Sequence, residues 1–538
     1  MRNNNKKKQK KNTKNKRNKK SKNSVAIISN GNNKHIVISS SNMAHSKRGL
    51  VMTVTVVVMV VLAATLTSPA AAASLGRSTR QRRQVSLGNI MTMLMRPTDP
   101  SAPALDTVEL GRLAGYKVEQ HTVVTADGYI LTLHHIPPFA NPSRRAPPQR
   151  LRRHNLVEPS SNISAGPWAA GGLKEEWRKE GLRDKEKEGL KDEENEEEEA
   201  QADPLGLDGA AKVVFLQHGL MGSSDNWNTN TMENSLAYLL TDAGYDVWMG
   251  NFRGNVYSRR HRNMTHEDPQ FWKFSYDEMA QHDLPAMLEH VLVETGAEKV
   301  VYVGHSMGTT VFFAAMSSLP EEYQDRIAAM VALAPVATIT SVSSPIKYLA
   351  PLVNELQFLL RFFGNDQEVM TNRLLISLWD PYRVCRSYIL CENIQFMITG
   401  FDPSRADETM VPVILSHNPA GSSTQTLFHF AQGYTSGKFQ KFDYGTRKNL
   451  LHYGQADPPE YNISKIKVPV TLFWADNDWL TGEKDITNLK VKLPNLEAVH
   501  KVHNPEFSHL DFLWATDVRP LVYEKIFDIL EGVLQKYF

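Results

Sequence analysis

Cysteine is almost missing from this chain: Cys385 and Cys391 are the only two in 538 residues. Two thiols cannot pin so long a polypeptide into a disulfide scaffold, which leaves one local bridge closing a short loop or two free thiols. No C-x-x-C and no H-E-x-x-H pattern occurs, which removes the common zinc frameworks. The adjacent His134 and His135 have no accompanying ligand pattern and read as strand surface, so no metal site is expected. Acidic residues are absent from positions 1–48, which hold 15 Lys or Arg. Asn/Lys-rich sequence of that kind cannot build a core, and a basic disordered tail is expected there.

The formal net charge of +3 conceals this asymmetry. From Gln84 onward the chain carries 42 basic against 58 acidic residues, a net of about −16. An acidic body is a poor partner for phosphate backbones, which argues against nucleic-acid binding by the main domain.

Leu50 to Ala64, LVMTVTVVVMVVLAA, is an apolar run of signal-peptide length and short for a full membrane span. Lys47-Arg48 precedes it and Ala70 to Ala73 follow, so 49–73 reads as a signal peptide or a signal anchor, and 74–106 as a linker or short propeptide ending near Arg80-Gln81-Arg82-Arg83. Three N-glycosylation acceptors, Asn162, Asn263 and Asn462, fit a secretory route. The expected destination is the extracellular space or the lysosome, the alternative a type II membrane-anchored protein.

From residue 107, strand and helix signals alternate, which implies a mostly parallel sheet covered by helices on both faces. An Asp127-Gly128 turn between two β-rich runs predicts a hairpin over 116–137. Residues 141–211, Pro/Arg-rich and then Glu/Lys-rich, read as a disordered charged insertion. Strands are expected at 212–217, 245–250, 300–303, 328–333, 468–474 and 497–502, with 212–217 and 300–303 buried. The alternation breaks over 338–461, which reads as a mainly helical cap. Its Ile346, Leu349, Val353, Leu356, Leu360 and Phe363 share a helical spacing. Core sequence is thus assigned to 107–337 and 462–538.

The organising stretch is Gly304-His305-Ser306-Met307-Gly308, set between a β-branched strand and a small-residue helix. A G-x-S-x-G match alone arises by chance in about one chain in five of this length. Placed between strand and helix, it is the nucleophile-elbow pattern, with Ser306 as nucleophile. A serine needs a histidine base oriented by a carboxylate, and in this fold both follow it on loops after later strands. His509 is the expected base, while His500 and His503 read as packing or surface residues. Asp478 is the expected acid; Asp476 shapes the loop and Asp511 caps the following helix. The oxyanion donors are expected at the amides of Leu220 and Met307.

These stretches resemble the gastric and lysosomal acid lipase family of the α/β-hydrolases. The motifs that carry the resemblance include TADGYILTLHHIP, VVFLQHGLMGSSDNW, NFRGNVYSRRH, VGHSMGTT, ITGFDP, LSHNPAGSS, ADNDWL and FSHLDFLWATD, in order from about Tyr116 to the C-terminus. The resemblance implies nucleophile Ser306, acid Asp478, base His509, oxyanion amides of Leu220 and Met307, and a cap inserted between the halves of the sheet. It implies a Cys385–Cys391 bridge in the cap, although the spacing is shorter than the family's. Hydrolysis of acylglycerols or cholesteryl esters is expected, without metal or organic cofactor, at a lipid–water interface with transient membrane association. The charged insertion and long basic leader depart from the family pattern. The rival expectations are a soluble carboxylesterase or thioesterase, and a lipid-binding protein on an inactive hydrolase scaffold.

Overall fold

In a computed structural model of the chain, the described residues are 26–30, 34–38, 105–139, 212–348, 350, 368–371, 399–400, 405–407 and 410–537. The chain divides into two compact units, Met1–Thr92 and Met93–Phe538. In the first, Ala26–Asn30 pairs antiparallel with Lys34–Ile38. That hairpin differs from the structureless tail expected over 1–48: two short β-branched runs flank Gly31 within the basic sequence.

The second unit is built on one sheet. Its strands are β1 (Glu119–Val124), β2 (Tyr129–Ile136), β3 (Val213–Gln217), β4 (Asp246–Gly250), β5 (Val300–His305), β6 (Ile327–Leu333), β7 (Val470–Trp474) and β8 (Leu496–Lys501). Their spatial order is β8-β7-β6-β5-β3-β4-β2-β1, and the short Arg260–His261 strand adds beside β2. Strands β3 to β8 run parallel; β2 alone is antiparallel to both its neighbours. The Thr125–Gly128 turn joins β1 to β2, and the observed strands fall within a residue or two of those expected.

Strands buried on both faces need apolar residues at every position, and the two halves of each period supply different cores. Val213, Phe215, Val300, Tyr302, Met330 and Leu472 face one cluster, with Leu288, Val311 and Phe312. Val214, Leu216, Val301, Val303, Val331 and Phe473 face the other, with Leu236, Leu240, Ile526 and Leu530. Helices α1 (Leu236–Asp242) and α5 (Glu524–Tyr537) therefore cover one face, and α2 (Leu284–Thr295) and α3 (Met307–Ser318) the other.

Within 338–461 the described α-helices are Val411–His417, α4 (Thr424–Ser436) and Thr446–Tyr453, and Ile346 lies exposed in the short 3-10 turn Pro345–Tyr348. A strand pair, Glu368–Thr371 with Ala420–Ser423, joins them. Leu349, Val353, Leu356, Leu360 and Phe363 of the apolar stripe lie outside the described residues, as do Cys385, Cys391, Asn162 and 141–211. Asn263 and Asn462 are exposed. The leader, 49–73, is likewise outside them. Among the described residues no helix is long and apolar enough to cross a membrane.

His134 is not strand surface. It is fully buried and bonded through Nδ1 to Ser224 Oγ at 2.7 Å. Its face of β2 is covered by the loop after β3, which strand periodicity alone does not reveal.

Candidate active site

Ser306 sits between the end of β5 and the start of α3, with φ +52° and ψ −117°. A β-carbon at positive φ costs of order 1–3 kcal/mol, so the surroundings must hold it there. The Ser306 amide donates to Leu333 O at 3.0 Å, and its carbonyl accepts from Thr309 Oγ1 at 2.7 Å. The two flanking glycines are required by space. A Cβ on Gly308 would stand 2.5 Å from Gln217 O, and one on Gly304 would stand 2.9 Å from the Tyr302 ring.

The turn aims the hydroxyl at His509. Ser306 Oγ–H donates to His509 Nε2 at 2.8 Å, and His509 Nδ1–H donates to Asp478 Oδ2 at 2.7 Å. The two spans join residues 203 and 31 positions apart. All three side chains are buried. The second Asp478 oxygen accepts the amides of Leu480 and Thr481, each at 2.9 Å. With both oxygens engaged, the carboxylate is fixed in rotation and presents one oxygen to the imidazole.

The other candidates fall elsewhere. Asp476 turns outward to Lys501 Nζ at 2.8 Å. His500 packs on Phe473, and His503 is exposed. Asp511 does not cap the helix it begins; its carboxylate reaches back to the Ser508 amide and steadies the turn that carries His509.

Leu220 lies in the turn after β3, where the Gly222 amide donates to Gly219 O at 3.1 Å. A Cβ on Gly219 would meet Ser306 Cβ at 3.0 Å, so the turn rests directly on the serine. Met307, the first residue of α3, is buried.

Two histidines of the site carry support that sequence reasoning missed. His218 Nδ1–H donates to Gly219 O at 2.8 Å, while its Nε2 accepts from the Phe252 amide at 3.1 Å and Asn255 Nδ2 at 3.2 Å. Burial pushes its pKa down to about 4, which keeps the ring neutral. His305 Nε2–H donates to the His509 carbonyl at 2.9 Å. Burial, reinforced by the adjacent His509, pushes its pKa down to about 3. Their place beside the two glycine turns was the available signal.

Such an arrangement can deprotonate a serine as it attacks an acyl carbon, with the resulting imidazolium beside a fixed carboxylate.

Residues 212–516 match the family model described as alpha/beta hydrolase fold, and 107–162 match that of the partial alpha/beta-hydrolase lipase region. The chain is 35% identical to the gastric triacylglycerol lipase of Bos taurus, over 82% of this chain and 95% of that protein. It is 41% identical to the lysosomal acid lipase/cholesteryl ester hydrolase of Macaca fascicularis, over 60% of this chain and 80% of that protein. Lipase member K of Mus musculus is 35% identical over 81% of this chain and 94% of that protein.

Proposed function

Since this chain belongs to the gastric and lysosomal acid lipase family of the α/β-hydrolases, we propose that it is a lipase cleaving fatty-acyl esters of triacylglycerols or cholesteryl esters through Ser306, His509 and Asp478. The observation that carries this reading is the unbroken Ser306–His509–Asp478 hydrogen-bond relay.

In the first half-reaction Ser306 Oγ attacks the ester carbonyl carbon while His509 Nε2 takes its proton. Asp478 holds the imidazolium. The amides of Leu220 and Met307 receive the oxyanion, a role supported by the contact of the Gly219 turn with the serine. Collapse breaks the C–O bond to the alcohol, which leaves with the proton from His509. Water then attacks the acyl-serine by the same route and releases the fatty acid. The inserted 338–461 region serves as the cap over the acyl chain. Secretion to the extracellular space or the lysosome, and work at a lipid–water interface, complete the reading.

The test is turnover of emulsified triolein and cholesteryl oleate beside a water-soluble short-chain ester, on both sides of the ordinary histidine pKa of about 6.5. The expected result is hydrolysis of at least one emulsion, rising at the onset of the interface and abolished in Ser306→Ala. Cleavage of the soluble ester alone would favour a carboxylesterase and overturn the lipid substrate. Labelling by a fluorophosphonate without turnover of any ester would overturn the enzymatic reading.

A further inference from the structure

At the edge of the sheet farthest along from β8, the β1–β2 hairpin gathers chemistry that ester hydrolysis does not use. In its antiparallel register Glu119 lies opposite His135, and His121 lies opposite Leu133. Cross-strand partners and residues two apart share a face, so Glu119, His121 and His135 all project to one side. One donor atom from each lies within 4.8 Å of the other two. Glu119 Oε2 is 3.3 Å from His135 Nδ1 and 3.7 Å from His121 Nε2.

We propose that Glu119, His121 and His135 form a binding site for a zinc ion, with a water in the fourth position. Metal–ligand distances of about 2.0–2.1 Å in a tetrahedron place ligand atoms about 3.3–3.4 Å apart. The two separations from Glu119 are close to that value and the third pair lies within 4.8 Å, so side-chain adjustment brings the three onto one ion.

The outer contacts leave the right atoms available. His135 Nε2 is hydrogen-bonded to Asp246 Oδ1 at 2.5 Å. With that nitrogen donating to the carboxylate, Nδ1 keeps its lone pair toward the cluster, the carboxylate–histidine arrangement that orients metal ligands. His121 Nδ1 meets His290 Nε2 of α2 at 3.2 Å. Its other nitrogen, Nε2, is buried and has no hydrogen-bond partner among the described residues. A buried imidazole nitrogen without a partner carries a desolvation cost that a cation would remove. Lys117 Nζ holds Glu119 Oε1 at 2.5 Å, which leaves Oε2 to the histidines.

Both rings are braced. The His135 ring stacks on Trp248 with centroids 4.1 Å apart, and the His121 ring lies 4.6 Å from the same indole. Two imidazoles and one carboxylate suit zinc better than calcium or magnesium, which prefer all-oxygen shells. Partial exposure of the three side chains gives the ion a path in and a place for the water. The site would tie β1, β2, β4 and α2 together, and it has no part in the proposed ester cleavage.

The test uses the full-length, untagged chain, dialysed against zinc at neutral pH and then against metal-free buffer. Metal content per chain is measured in wild type, His121→Ala, and the double variant Glu119→Gln/His135→Asn. The expected result is one zinc per chain more in wild type than in either variant. Zinc should also raise the wild-type Tm in a concentration-dependent way, with no such shift in the variants. Cobalt in place of zinc should give the strong visible bands of a four-coordinate ion in wild type only. Retained ester turnover in the variants certifies their fold. Equal zinc content in wild type and folded variants, or no retained zinc in wild type, overturns the site.

Discussion

His305 and His509 are joined by a hydrogen bond of 2.9 Å from the His305 ring to the His509 carbonyl, so the residue before Ser306 positions the backbone of the proposed base. The His305 ring also packs against Gly219, 3.1 Å from where a Cβ would stand, and thereby touches the turn proposed to hold the oxyanion. His305→Ala removes this brace without removing any member of the relay. A misplacement of the base by about 1 Å can cost on the order of 100-fold. The expected outcome is a fall in kcat of about 10- to 100-fold with KM little changed, read from steady-state kinetics on a soluble ester. An unchanged kcat would show that the other contacts suffice.

Gly400 links the 338–461 segment to the two loops that carry Asp478 and His509. It has φ +126°, and a Cβ there would stand 2.1 Å from Asn477 O and 2.9 Å from Ser508 Cβ. Those residues immediately precede Asp478 and His509. Gly400→Ala combines a forbidden dihedral with a backbone clash, and the loops must move apart. Activity should fall by at least about 10-fold while the far sheet edge remains folded. Kinetics together with hydrogen exchange on the 475–481 and 504–511 loops check this; wild-type exchange and activity would refute it.

Arg253 holds the β1–β2 turn to the rest of the sheet. Its guanidinium donates to both oxygens of Asp127 at 2.6 and 2.9 Å and to Asp283 Oδ1 at 2.7 Å, over the face of Tyr129 at 3.9 Å. Burial pushes the Asp283 carboxyl up, against the opposing pull of Arg253. Asp283→Ala leaves a buried cation short of a partner, a change that costs about 3–5 kcal/mol. The expected result is that loss of stability in denaturant unfolding. A loss below about 1 kcal/mol would mean that Asp127 alone satisfies the guanidinium.

Asp277 is buried beside Phe442, whose amide it accepts at 2.8 Å. Burial, then the charge of Glu278, raises its pKa well above 3.8. A raised folded-state value means that its contribution is fully present below pH 3.8 and is lost as pH climbs through the raised value. Asp277→Asn imitates the protonated form. Relative to wild type, the variant should gain Tm at neutral pH, and the gain should shrink in acid. The difference between the two Tm–pH curves isolates Asp277 from His218 and His305. Those two are pushed down by burial and contribute stability above pH 6.5 that is lost in acid as pH falls toward about 4 and about 3. A gain that grows on acidification would contradict the assignment.

Much of this geometry was legible in the chain because it rests on local rules. Short β-branched apolar runs such as Val300–Val303 read as strands covered on both sides, and a glycine-flanked serine after such a strand matches the elbow pattern. Strand order and loop order then single out His509 and Asp478 among many candidates. The supporting contacts were not legible, because they depend on register and cover. His121 and Glu119 meet His135 only through the cross-strand pairing, and no linear spacing encodes that diagonal. His134 is buried by a loop that follows a long charged insertion. Asp511 sits where a capping residue would, yet its carboxylate reaches backward to Ser508.

The most direct measurement is the mass of the enzyme quenched during turnover of a slowly deacylated ester. An acyl adduct confined to the peptide containing Ser306, absent in Ser306→Ala and slow to form in His509→Ala, is the predicted result. An adduct on another residue, or full turnover by Ser306→Ala, would contradict the account.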